Sequence, residues 1–273
     1  MAESEIRMPV FAGQFYPATA LALRKQIESF IRPEAKKQDT IACLLPHAGY
    51  IYSGRVATET LSCIEIRDTV ILLGPNHTGY GKEISIMTEG IWQTPLGKVE
   101  IDTSLAKKIL QNSAGIEEDN LAHASEHSLE VELPLLQYFK SNFKIVPIAF
   151  MFEEVDTLKE IGRAIAETVK DEGLKNRVLI LASSDMTHYE PQARAQKNDL
   201  QAIEAILSLD PDRLAGVVER FNISMCGLAP AIAMISAARA LGASGGKLVK
   251  YQTSGDVTGE TNSVVGYAGI TIS

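Results

Sequence analysis

The sequence predicts an α/β protein: a single domain over residues 1–273, with a mixed, mostly parallel central sheet and helices on both faces. Three observations carry this. Strand-like apolar runs alternate with helix-like apolar periodicity, the pattern of parallel strands joined by crossover helices. Two stretches break the alternation with strand following strand, which makes the sheet mixed. Pro, Gly and Ser are scattered, with no linker, low-complexity block or internal repeat to divide the chain. At 273 residues, 45% hydrophobic and 22% charged, the chain is long and apolar enough for one large core.

Taken in order, apolar recurrence at helical spacing marks a helix at about Ala18–Ile31, and the apolar run Thr40–Leu45 is the first strand. Helix Ser53–Cys63 and strand Thr69–Leu73 follow, completing one strand–helix–strand crossover. Glu83–Met87 and Ile91–Asp102 form a hairpin or meander, turned at Thr94-Pro95-Leu96-Gly97. Helices are predicted at Ser104–Asn112 and His127–Phe139, the latter containing Pro134, before strand Lys144–Phe150. Helix Val155–Asp171, strand Arg177–Ala182 and helix Ala193–Leu207 continue the alternation. Helices near Asp210–Arg220 and Leu228–Leu241 precede two last strands, Lys247–Thr253 and Val264–Ile272, joined by a Gly/Asp/Thr-rich turn.

Composition narrows the function classes. The net charge is −8 and the pI about 5.3. With no dense Lys/Arg cluster, nucleic acid is not an expected partner. Three cysteines make no disulfide framework, and Cys43 and Cys63 sit in apolar patterns as small buried hydrophobes. A free thiol used chemically suits a reducing compartment. The opening Met1-Ala-Glu-Ser-Glu lacks the basic and apolar regions of a signal peptide, and no apolar run approaches the ~20 residues of a membrane span. A cytoplasmic location without membrane association is expected. There is no Gly-x-Gly-x-x-Gly after the first strand and no phosphate-binding Gly-x-x-x-x-Gly-Lys-Ser/Thr loop, so no nucleotide cofactor is expected. A Gly-x-Ser-x-Gly elbow and a Cys-x-x-Cys pair are also missing.

Chemistry concentrates at strand ends. Of five histidines, His47, His77 and His188 each lie just beyond a predicted strand, where open α/β sheets bind ligands. If the two strands of the first crossover are neighbours, ~4.8 Å apart, the imidazoles of His47 and His77 could reach one ion. The alternative is a set of turn histidines hydrogen-bonded to backbone. Cys226 precedes a predicted helix whose first turn suits Pro230, so the helix dipole would favour its thiolate as a soft ligand or nucleophile. Spacing alone leaves Cys226 unplaced relative to His47. Asp185 and His188 share a loop, where a carboxylate could orient an imidazole and His188 could serve as general acid or base. The other reading of this pair is a helix-capping Asp and a half-exposed His. His123 and His127, four apart, could chelate zinc from one helix face or mark the helix start. Phe15, Tyr16, Tyr50 and Tyr52 could wall a pocket or cover the sheet end.

The ordered pieces Pro9-Val-Phe-Ala-Gly-Gln-Phe-Tyr-Pro17, Pro46-His-Ala-Gly-Tyr50, Gly74-Pro-Asn-His77, Glu126-His-Ser-Leu-Glu130, Ser183-Ser-Asp-Met-Thr-His188 and Met225-Cys-Gly227 span nearly the whole chain. In that order they resemble the Memo-like family, whose prokaryotic members are labelled AmmeMemoRadiSam system protein B. The resemblance implies a fold like that of class III extradiol dioxygenases, which hold non-haem Fe(II). It implies His47, His77 and Cys226 as metal ligands, with Asp185 and His188 beside them. The ring-cleaving enzymes use two histidines and a glutamate, whereas a cysteine here admits copper and zinc as well as iron. Family analogy also implies a radical-SAM partner and, from a eukaryotic member, binding of phosphotyrosine peptides and metal-linked redox.

The expected function is a metal-binding redox protein, iron or copper dependent with zinc a further option. Its ligands are His47, His77 and Cys226, with His188 and Asp185 handling protons, and Tyr52, Phe15, Tyr16, His127 and Glu126 around the pocket. The rival from another class is a module that binds a peptide or partner protein in the same pocket without catalysis. Zinc hydrolysis or deamination is a third reading, weakened by the absence of the corresponding His-Glu and Cys-x-x-Cys motifs. The substrate is a small molecule or peptide of unspecified identity.

Overall fold

The computed structural model describes residues 5–151 and 154–273. From the amino end run β1 (Ile6–Arg7), α1 (Ala20–Glu28), β2 (Ala42–Leu45), α2 (Gly54–Ser62) and β3 (Thr69–Pro75). Then come β4 (Ile84–Ile86), β5 (Ile91–Thr94), β6 (Gly97–Ile101), α3 (Thr103–Asn112), β7 (Glu117–Glu118), α4 (Leu121–Ala124) and α5 (Glu132–Phe139). The second half contains β8 (Lys144–Phe150), α6 (Val155–Asp171), β9 (Val178–Ser183), β10 (His188–Glu190), α7 (Gln192–Leu207) and α8 (Pro211–Phe221). It ends with α9 (Leu228–Ala240), β11 (Gly246–Thr253), α10 (Gly255–Thr258) and β12 (Val264–Ile272).

All the strands join one mixed sheet in the order β1-β5-β6-β8-β3-β9-β2-β12-β10, with β11 beside β12 and β4 bridging β7 and β8. Its centre, β8-β3-β9-β2, is parallel. Helices α3, α6, α8 and α9 pack together on one face, and α1, α2 and α5 on the other. That double cover explains the unbroken apolar runs. Val70, Ile71, Leu72 and Leu73 of β3 have no solvent exposure, and each such side chain contributes roughly 1.5–3 kcal/mol on burial. Among the described residues no helix is long and apolar enough to cross a membrane.

Three expectations change. The strands β2 and β3 are not neighbours: β9 lies between them and pairs with both. Their ends are therefore separated by two strand spacings, roughly 10 Å. Strand β4 leaves the β5–β6 hairpin and pairs instead with β8. Helix α5 starts at Glu132, not His127. Pro134 lacks an N–H, and its ring would meet the carbonyl of residue 130 in a longer helix, so Pro134 belongs in the first turn and α5 begins just ahead of it. Residues 128–131 form turns, which frees this segment to fold across the ends of the strands.

Candidate metal centre

His47 and His77 each stand two residues beyond a parallel strand, β2 and β3. The strand between them, β9, ends in Ser183, whose small side chain leaves room for the imidazoles to meet above it. The ring centroids lie 5.2 Å apart. His47 is buried, 2% exposed. Its backbone N–H donates to Asp185 Oδ1 at 2.9 Å, and its Nδ1 lies 2.9 Å from Ser183 Oγ. Burial holds its pKa well below the ordinary histidine value, reinforced by the imidazoles of His127, His77 and His188.

His77 is held from behind by Glu126. One carboxylate oxygen accepts from the His77 backbone N–H at 2.5 Å, the other from His77 Nδ1 at 2.9 Å and from the Ser128 N–H at 2.8 Å. Against desolvation, these donors and the neighbouring histidines hold the carboxyl down at about 2. An ionised carboxylate only accepts, so His77 Nδ1 carries the hydrogen and Nε2 keeps the lone pair. Segment 126–130 reaches this position because Gly74 has no side chain: a Cβ there would meet Leu129 Cδ2 at 2.5 Å and Ser128 Oγ at 2.9 Å. His127 stacks on His77 at 4.5 Å between centroids and sits 5.4 Å from His47. Desolvation lowers its pKa to about 4.

Cys226 arrives from the α8–α9 loop. Its Sγ is 3.2 Å from His47 Nε2 and accepts from the Asp185 N–H at 3.2 Å. Gly227 makes this approach possible, since a Cβ would lie 2.4 Å from both Ser183 O and Ser184 Cβ. The Gly227 N–H donates to Ser184 Oγ at 3.0 Å. Without a metal ion, desolvation and the Asp185 charge push the thiol above its usual range, opposing the pull of the helix dipole. One ligand atom from each of His47, His77 and Cys226 lies within 4.8 Å of the others. Two imidazoles and a sulfur suit a borderline or soft transition metal. His77, with its side chain 34% exposed, leaves the outer side open.

This cluster floors a cleft of about 570 Å³ walled by Phe15, Tyr52, Tyr189, Tyr267 and Val265. A model of the Memo-like protein family matches residues 7–271. The chain belongs to the Memo-like family. MEMO1 family proteins of Methanopyrus kandleri and Aquifex aeolicus are each 45% identical to it, over 97% of this chain and 98% of theirs. One from Methanococcoides burtonii is 44% identical over 98% of this chain and 100% of its own. Among solved structures, an uncharacterized protein from Escherichia coli K12 shares the fold with a TM-score of 0.58. It covers 84% of this chain and 98% of that one at 13% identity.

In this Memo-like chain the expected pocket residues separate into groups. His47, His77, Cys226, Asp185, His188, His127, Phe15 and Tyr52 line the cleft, and Glu126 supports it from behind His77. Tyr16 does not line it. Its ring is buried, and its hydroxyl donates to Glu130 Oε1 at 2.7 Å, while Arg7 pairs with the same carboxylate at 2.7 Å. Asp185 orients no imidazole ring; it accepts from the main-chain N–H groups of His47 and Ala48. Burial raises its carboxyl to about 7. His188 Nδ1 lies 2.8 Å from the Ser224 carbonyl, which can only accept, so its Nε2 is the basic nitrogen. His123 points away from His127 toward Ser85 O, beside Trp92. Sequence reasoning missed Ser183, Ser224, Tyr189, Tyr267 and Glu132. A carboxylate inside the apolar segment Val131–Leu136 was a signal for the last of these.

Proposed function

We propose that the protein is a metal-dependent redox protein in which His47, His77 and Cys226 hold one iron or copper ion. In this reading His188 and Asp185 handle protons beside it. The convergence of three ligand atoms from separate loops within 4.8 Å supports this reading above everything else. A bound iron or copper ion would supply one-electron chemistry. The chain's own residues do the rest. Ser183 and Glu126 engage the Nδ1 atoms, leaving Nε2 of each imidazole directed inward. Asp185, held at about 7, can exchange a proton near neutral pH. Phe15 and Val265 present apolar surface to the cleft beside the centre.

A second reading, a peptide-binding module, is favoured by one feature: Tyr189 stands 79% exposed at the rim of an open cleft. Thermal unfolding of reduced, anaerobic protein separates the two. Fe(II) or Cu(I) at about 100 times its dissociation constant should stabilise by ~2.7 kcal/mol, and the gain should vanish in Cys226→Ser. No shift with either ion, beside a shift with tyrosine-containing peptides, would favour the module. A shift with Zn(II) alone would move the reading to hydrolytic chemistry.

A further inference from the structure

Behind His47 stands a carboxyl group that the proposed redox chemistry does not use. Glu132 opens α5, is fully buried, and places Oε1 2.9 Å from Ser183 Oγ. The same hydroxyl oxygen is 2.9 Å from His47 Nδ1 and 2.8 Å from the carbonyl oxygen of Ser128. A hydroxyl has one hydrogen to give and two lone pairs to receive. Ser128 O can only accept, so its contact is a hydrogen bond only if it takes the serine hydrogen. The two remaining contacts are hydrogen bonds only if His47 Nδ1 and Glu132 Oε1 each bring a hydrogen of their own.

Electrostatics lead to the same proton count. Glu132 forms no ion pair among the described residues, whereas its neighbour Glu130 is paired with Arg7. Its other oxygen, Oε2, has no hydrogen-bond partner among them. The amino end of α5 favours an anion by ~0.3–1 kcal/mol, ~2 at best. Burying an uncompensated carboxylate costs several kcal/mol. The larger effect wins, and burial pushes the Glu132 pKa far above the usual carboxylate range.

We propose that Glu132 is a positioning residue for His47: a neutral carboxyl that donates to Ser183 Oγ, completes the bonding of that hydroxyl, and so holds His47 in its Nδ1–H form with Nε2 free for a metal. The consequence for metal binding rests on the redox-centre reading; the proton count does not. The two imidazoles then differ in kind. Anionic Glu126 draws on the Nδ1 hydrogen of His77 and makes that ring the stronger donor, whereas the neutral Glu132–Ser183 chain orients His47 without adding charge.

The test has a metal-free arm and a metal arm. In metal-free protein at mildly alkaline pH, the infrared difference between wild type and Glu132→Gln should contain the carbonyl band of a protonated carboxylic acid. Carboxylate bands in its place would overturn the proposal. ¹⁵N spectra should show His47 protonated at Nδ1 in wild type and in E132Q, and an Nε2–H form in wild type would also overturn it. In the metal arm, with Co(II) as probe, E132Q should bind like wild type with the same visible spectrum, because the amide N–H replaces the acid O–H. E132M should bind roughly tenfold or more weakly. Equal weakening in both variants, or none in E132M, would contradict a neutral donor. If wild type takes up no metal, the redox-centre reading fails while the infrared and ¹⁵N results still decide Glu132.

Discussion

Replacing Glu126 by Gln keeps the shape of the side chain and removes its charge. In the folded protein one carboxylate oxygen receives the His77 N–H and the other receives the Ser128 N–H. An amide has one acceptor oxygen, so whichever way it turns, its NH₂ faces one of these backbone donors. The loss of a charge-assisted bond there costs roughly 1.5–3 kcal/mol. The carboxyl gives a similar figure: held at about 2 against an ordinary 4.5, it reports roughly 3 kcal/mol favouring the ionised form in the folded state. With the side chain 1% exposed, solvent screening removes little of this. Urea unfolding of metal-free E126Q at neutral pH should therefore fall short of wild type by about 2–3 kcal/mol, a midpoint shift of roughly 1 M. Because the folded-state pKa is depressed, the stabilisation is present above about 4.5 and lost as the pH falls toward 2, so the gap between the two proteins should close over that window. Metal affinity, measured by competition with a chelator, should drop roughly 10–100-fold as His77 loses its orienting anion. Equal urea midpoints and equal affinities at neutral pH would refute the role given to Glu126.

Gly227→Ala must move backbone, because the new Cβ would sit 2.4 Å from Ser183 O. Metal affinity should fall more than roughly tenfold, with a loss of about 1–3 kcal/mol in urea. Tyr16→Phe should cost about 1.5–3 kcal/mol through its bond to Glu130 and leave metal affinity unchanged, since Tyr16 lies outside the cleft. His123 is held neutral by burial, at about 4 against an ordinary 6.5. Its contribution to stability is complete above about 6.5 and should decline by roughly 3 kcal/mol as the pH falls toward 4. His123→Leu should flatten that part of the urea pH profile.

Much of the architecture is legible because it follows from local pattern. Apolar runs such as Val70–Leu73 mark doubly covered strands, and histidines just past them mark the ligand-binding end of the sheet. What local pattern leaves out is pairing. Nothing near residues 40–75 says that Val178–Ser183 inserts between the first two central strands, since that order is decided by long-range packing. Phe15 and Tyr16 look equivalent in sequence, yet adjacent residues face different surroundings. Phe15 lines the cleft, and Tyr16 turns inward because Glu130 offers its hydroxyl a partner. Cys226 is placed by the glycine after it, whose missing Cβ lets the α8–α9 loop press against Ser183 and Ser184. Nothing in sequence shows that Asp185 Oδ1 also accepts from the backbone of the His47 turn, a contact made across 137–138 residues.

The most direct measurement is anomalous diffraction at the metal edge, from crystals grown with Fe(II) or Cu(I) without oxygen. A shared centre gives one strong peak about 2.0–2.1 Å from Nε2 of His47 and of His77 and about 2.3 Å from Cys226 Sγ, absent from Cys226→Ser crystals. A peak bound elsewhere, or no peak among these residues at saturating metal, would contradict it.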